Sequence, residues 1–292
     1  MLLAMLLLVT APEKSPGALS LELTAAKTRV MVGEPAKLIL KWTTRERLLV
    51  ATGSVVLKID DGSGFRPWTE AKFGTAFVLE TPAYLSPGEV QKTSLVLGVA
   101  GGPSLPEKGP NPAEGFRFAF PRAGEYRVRV DYERTWSNTV VISAVQPQGE
   151  DAELWNRLSS RPDLLTEWVL YDGRRRGALR ELVSKYPHSA HLAAVQLVLF
   201  RSDLGQALAT DRKASIPLKE GSTARLLGEV EARVLADSPF DEDRLILLAE
   251  YSSALGDQDG LERVYRAILR DHPDGVGAER AQSWLASNEP PK

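Results

Sequence analysis

Apolar and polar positions change rhythm once along this chain. From residue 19 onward apolar side chains recur at every second position: Leu19, Leu21 and Leu23 alternate with Ser20, Glu22 and Thr24. A period of two marks a strand with one buried face. Val30 and Val32 lead into Gly33-Glu34-Pro35, which reads as a turn, and Ala36, Leu38 and Leu40 then alternate with Lys37, Ile39 and Lys41 before Trp42, the expected central core indole. Val55, Leu57 and Ile59 alternate up to the turn Asp60-Asp61-Gly62, and residues 77–80 and 93–99 add short runs. Phe116, Phe118 and Phe120 precede a break at 121–124, Tyr126, Val128, Val130 and Tyr132 alternate again, and a last strand covers 139–145. Residues 101–115 hold four prolines and four glycines and read as a long loop. About seven or eight strands with frequent turns predict an antiparallel β-sandwich over 19–147.

Past Pro147 the period lengthens. Leu179, Leu182, Val183 and Tyr186 fall at i, i+3, i+4 and i+7, as do Leu261, Val264, Tyr265 and Ile268, so both runs predict amphipathic helices. Each closes at a proline step, Tyr186-Pro187 and His272-Pro273, because the residue before proline is disfavoured in a helix. The pattern places helices at 151–158, 163–171, 174–186, 189–201, 223–237, 241–255, 260–272 and 277–287, with an irregular stretch around 205–221. The expected organisation is a multidomain α and β protein: a leader at 1–18, the sandwich at 19–147 and an all-α repeat domain at 148–292.

Charge sharpens that boundary. The whole chain of 292 residues carries a formal charge of -2, but 19–147 has 16 basic and 13 acidic residues against 19 and 24 in 148–292. A mildly basic β part is thus joined to an acidic helical part, with no global basic field to hold nucleic acid. There is no cysteine, which removes disulfides, thiolate nucleophiles and Cys-ligated zinc. The opening MLLAMLLLV is too short to span a bilayer and reads as the apolar core of an export signal, with an apolar strand or a loose tail as the alternative. No transmembrane span is expected.

Two segments resemble known families. VGEP at 32–35 and GEYRVRV at 124–130 resemble bacterial immunoglobulin-like domains of the macroglobulin type, in which such a turn opens the second strand and such a strand sits near the end. The likeness covers about 125 residues and implies a sandwich, with Tyr126 placed to pin a tyrosine corner. Pro239 and Pro273 are 34 residues apart, and the unit between them resembles a tetratricopeptide repeat, with Ala249, Tyr265 and Pro273 at the family's small, aromatic and proline positions. Leu245, Ser252 and Leu261 depart from the usual Trp, aromatic and Ala. The resemblance implies stacked helical hairpins whose inner helices line a groove, here Asp243, Ile246, Glu250 and Ser253. Two acids in that set imply a basic or mixed peptide partner.

Few residues point to chemistry. His188 and His191 are three apart but have no third ligand in the sequence and read as solvated, and 256–260 reads as a repeat turn rather than a calcium loop. Arg174, Arg175 and Arg176 read as a solvated helix face, and no nucleophile-elbow, dinucleotide or phosphate-loop motif is present. No catalytic, cofactor or metal residue is assigned. The expectation is a non-catalytic protein–protein interaction scaffold of the bacterial envelope, exported to the periplasm or beyond. The rival is an enzyme or accessory subunit of a glycan-active or proteolytic assembly, with its site at the domain junction.

Overall fold

A computed structural model describes residues 19–50, 55–68, 83–101, 116–133, 135–161, 164, 173–217, 220–232 and 238–288. The leader at 1–18, the strand at 77–80, nearly all of the loop at 101–115, most of the helix at 163–171, the side chains of Arg174 and Arg175 and the helix end at 233–237 lie outside the described residues.

Strands come first and helices second. β1 (Leu19–Ala25), β3 (Ala36–Thr44) and β8 (Val90–Leu97) form an antiparallel sheet in the order β1-β3-β8. A mixed sheet runs β2 (Arg29–Met31), β13 (Val140–Val145), β11 (Gly124–Tyr132), β5 (Val55–Asp60), β6 (Arg66–Trp68). It is parallel at β2 and β13, and β12 (Thr135–Trp136) pairs with β11. Two short ribbons pair β4 (Leu48–Val50) with β7 (Ala83–Leu85) and β9 (Val99–Gly101) with β10 (Phe116–Phe118). The helices are α1 (Gly149–Leu158), α2 (Gly173–Lys185), α3 (Ala193–Lys213), α4 (Ser222–Ala232), α5 (Asp241–Leu255), α6 (Gln258–Asp271) and α7 (Ala278–Asn288).

The alternation along β1 and β3 does what its period predicts. Leu21, Leu23, Leu38, Leu40 and Trp42 meet Leu57, Val128, Val130 and Ile142 of the mixed sheet in one apolar cluster. Burying each such aliphatic side chain contributes about 1.5–3 kcal/mol. Trp42 is wholly enclosed, lies edge-on to Tyr132 at 5.1 Å and donates its indole N–H to Thr93 Oγ1 at 3.1 Å, so its one polar atom is satisfied. Asp60 Oδ1 accepts the amides of Gly62 and Gly64, both at 2.8 Å, which makes the acidic stretch a turn between β5 and β6. Tyr126 donates its hydroxyl to the Arg122 carbonyl at 2.8 Å and fixes the bend into β11.

In the helical part, α5 and α6 form a hairpin. Gly256 ends α5 in the left-handed region at φ +66°, and the Asp257 carboxylate accepts the Gly260 amide at 3.1 Å to start α6. Leu245, Leu248, Ala249, Leu261, Tyr265 and Ile268 are buried together as their spacing predicts. One expectation is corrected. The helix expected to stop at residue 201 continues as α3 to Lys213, straight through Gly205. Gly205 is not a breaker but a contact position, since a Cβ there would press on the Tyr251 hydroxyl of α5.

The two parts share more than a linker. Val99 and Phe118 join Leu154, Leu158, Leu179 and Tyr186 in one cluster, and Val96 joins Ala193, Ala194 and Phe240 in another. The helices therefore cover one end and part of the outer face of the β1-β3-β8 sheet.

Candidate functional site

The chemistry of the molecule gathers where the parts meet. On β3, Lys37 faces away from the strand core, directly opposite Val96 of β8. The first turn of α5 closes over it. The Lys37 Nζ lies 3.0 Å from Glu242 Oε2 and 2.7 Å from Asp243 Oδ2, with the three side chains 1%, 4% and 6% exposed. Glu242 also accepts the Gly277 amide at 2.8 Å, and the loop from α6 to α7 passes so close that a Cβ at Gly275 would overlap its carboxylate. Lys92 of β8 reaches the Asp274 carbonyl of the same loop at 2.6 Å. Burial raises the Asp243 carboxyl above its ordinary range, against the pull of Lys37. For Lys37 burial opposes the charged form, but the negative charges of Asp243 and Glu242 outweigh it, and the ammonium is held above its usual value. The ammonium thus bridges the two carboxylates, closest to Asp243 Oδ2.

A second contact pins the other end of the junction. His191, expected in solvent, is wholly buried, while His188 is exposed; the structure separates the pair and corrects the solvated reading for His191. Its Nε2 is 2.8 Å from the Val32 carbonyl, an acceptor only, so Nε2 carries a proton. The ring stacks on Trp155 at 5.9 Å, and Nδ1 lies 3.6 Å from Asp151, whose Oδ1 accepts the Ser189 hydroxyl at 2.6 Å. Trp155 in turn lies over Gly33, in the VGEP turn, and edge-on to Phe118 at 4.7 Å. Among the described residues no three His, Asp or Glu side chains gather as a metal-ion site.

The four groove residues of α5 go to different surroundings. Asp243 is on Lys37, and Ile246 is buried in the helical core. Glu250 is half-buried, bonded to the Arg201 guanidinium at 2.6 Å, and Ser253 is exposed. Lys37 of β3 covers α5 at Glu242 and Asp243 and the helical core covers it at Ile246, so α5 is enclosed through its first turns and opens toward its C-terminal half. There a cleft of about 280 Å³ is lined by Arg201, Leu208, Glu250, Tyr251 and Ala254. The Tyr251 hydroxyl, raised by burial with Arg201 opposing, donates to the Arg201 carbonyl at 3.3 Å. A larger cleft of about 420 Å³ lies at the β6 end of the mixed sheet, with Arg117 stacked on Trp68 at 5.0 Å and Arg66 paired with Asp61.

Sequence reasoning missed Lys37, Glu242, His191 and Trp155. Lys37 and His191 sit in polar-looking positions of regular patterns, and nothing local to either announces a cover supplied from far along the chain. The glycines of 275–277 were the available signal, since a loop that must pass a carboxylate closely needs them.

No protein-family model and no curated protein matches the chain. Among solved structures it is similar to a β-glucosidase from Erythrobacter marinus at 19% identity, over 44% of this chain and 15% of that one, with a TM-score of 0.26. A CARDB domain from Pyrococcus furiosus matches at 13% identity over 44% of this chain and 87% of its own, TM-score 0.24. The sporulation control protein Spo0M from Bacillus subtilis matches at 12% over 49% and 55%, TM-score 0.25. These likenesses are too loose to bear on function. No helix among the described residues is long and apolar enough to cross a membrane.

Proposed function

We propose that the protein is a non-catalytic interaction scaffold of the bacterial envelope, in which an immunoglobulin-like sandwich and tetratricopeptide-like helices act as one rigid body. The observation that carries this reading is the closed junction: Lys37 on Glu242 and Asp243, and His191 on Val32, tie strand and helix surfaces at fixed separation. A scaffold with two docking surfaces gains affinity when their spacing is fixed, because the second contact then costs less entropy. The sandwich reading is supported by the single core shared by two sheets, and the repeat reading by the α5–α6 hairpin with Ala249 and Tyr265 packed inside. The binding surface is the open C-terminal half of α5, where Glu250, Tyr251 and Arg201 present both charges and an aromatic edge to a mixed-charge peptide segment.

Envelope extract is passed over the full chain and over Glu250→Lys and Tyr251→Ala baits of unchanged circular dichroism. A partner held by the wild type and released by both variants supports the reading; equal retention by all three rejects the cleft. N-terminal sequencing of the fractionated native protein tests export, which a cytoplasmic protein beginning at Met1 would refute. The rival reading, an enzyme with its site at the junction, gains two convergent carboxylates there. They are closed to solvent, so substrate reaches them only if the helices lift from the sheet.

A further inference from the structure

We infer that the cleft between β6 and β10 is a binding site for a small organic carboxylate, an acid group on an apolar or aromatic body. β6 is the edge of the mixed sheet and β10 belongs to a separate ribbon, so the two strands line one cleft without pairing. Its volume of about 420 Å³ is that of a small-molecule pocket, and Ile59, Ala119 and Pro121 give it apolar walls. The polar groups on it are nearly all donors: the guanidinium groups of Arg66, Arg117 and Arg122 and the indole N–H of Trp68, against the one acid Asp61. Asp61 is already engaged, accepting the Ser63 hydroxyl at 2.6 Å and Arg66 Nη2 at 2.7 Å. Among the described residues Arg117 and Arg122 meet no carboxylate. Arg117 lies over the Trp68 ring and reaches the Pro67 carbonyl at a long 3.5 Å, while the Tyr126 hydroxyl holds both the amide and the carbonyl of Arg122 and so fixes the rim that carries it.

Trp68 supplies a second, independent observation. It is 6% exposed, and its Nε1 is a buried donor with no acceptor among the described residues. A buried donor left unmet is costly, and a carboxylate oxygen is the acceptor it lacks. Arg117, exposed and loosely held, is the group that moves to admit it and then pairs with the second oxygen. Other occupants fit less well. A peptide strand added to the β6 edge would need an outward amide and carbonyl there, but Pro67 has no N–H and its carbonyl is taken by Arg117. A neutral sugar brings hydroxyl donors to a cleft of donors, and the Trp68 ring offers it no open face.

Benzoate is the probe. The indole N–H resonances of the isotope-labelled full-length protein are followed while benzoate is added at constant ionic strength. The tryptophan resonance that is missing from Trp68→Phe should move downfield and saturate. Arg117→Gln with Arg122→Gln should weaken the affinity by about tenfold or more, and benzamide, the same body without the charge, should bind about tenfold more weakly than benzoate. No saturable movement of that resonance, equal affinity in the double variant, or the same movement with inorganic phosphate alone each overturns the proposal. Glucuronate held more tightly than benzoate overturns the apolar body and assigns the cleft to an acidic sugar. If Trp68→Phe does not fold, calorimetric titration of benzoate into wild type and the double arginine variant decides, since both arginines are exposed and their replacement leaves the core intact.

Discussion

The contact of Gly33 with Trp155 offers a direct test of the junction, because the two residues belong to different parts of the molecule and neither is charged. Gly33 has φ +81°, and a Cβ built on it falls inside the six-membered ring of Trp155. Gly33→Ala therefore carries two separable costs. The left-handed backbone costs an ordinary L-residue about 1–2 kcal/mol. Displacing the indole, which is held by Phe118 on one side and His191 on another, is an overpacking of about 1–3 kcal/mol. Together the variant should lose about 2–5 kcal/mol.

Only the second cost depends on Trp155. In a Trp155→Ala background, already weakened on the order of 3 kcal/mol by the lost ring, Gly33→Ala should cost only the backbone share, about 1–2 kcal/mol. The double-mutant cycle should thus show a coupling of about 1–3 kcal/mol, with the paired change less damaging than the sum of single changes. Urea unfolding of the four proteins, followed by far-ultraviolet circular dichroism, measures it. A coupling within about 0.5 kcal/mol of zero would mean that the helical part does not rest on the VGEP turn, and the docked junction would be wrong.

Further outcomes follow from single sites. Asp211 is buried at the end of α3 and takes four hydrogen bonds at the start of α4, from the amides and hydroxyls of Ser222 and Thr223, which lower its carboxyl from 3.8 to about 2. Its stabilisation is present above pH 3.8 and lost as pH falls through about 2, so wild type and Asp211→Asn should differ in Tm at neutral pH and converge in strong acid. Lys37→Met leaves Glu242 and Asp243 buried without their cation and should cost about 3–5 kcal/mol by chemical denaturation. Because burial holds the Asp243 carboxyl above 3.8, the folded state binds that proton more tightly than the unfolded one, so stability of the variant should decline as pH rises from 3.8 through the raised value. Tyr126→Phe removes the hydroxyl bonded to the Arg122 carbonyl and should cost about 0.5–1.5 kcal/mol, with the fold retained.

What the residues reveal in advance depends on how far away their partners are. Trp42 and Tyr126 were legible because a period of two states which face of a strand is buried, and both partners, Thr93 and Arg122, lie within the same β part. The hairpin of α5 and α6 was legible for the same reason: Gly256 and Asp257 act within a turn of their own helix ends. Alternation set Lys37 on the face of β3 opposite Leu38 and Leu40 and left its cover unstated, since a period of two names a face but not what lies on it. Lys41, two pleats along on that face, does remain exposed beside Glu22, so the same pattern yields both outcomes. The groove set failed to form one surface for the reciprocal reason. Ile246 packs into the helical core, and Asp243 meets Lys37 of β3, for which a repeat motif written for helix against helix has no term. A charge at a position that should face water, next to glycines that let a loop approach it, is therefore the pattern to look for when two parts of a chain close on each other.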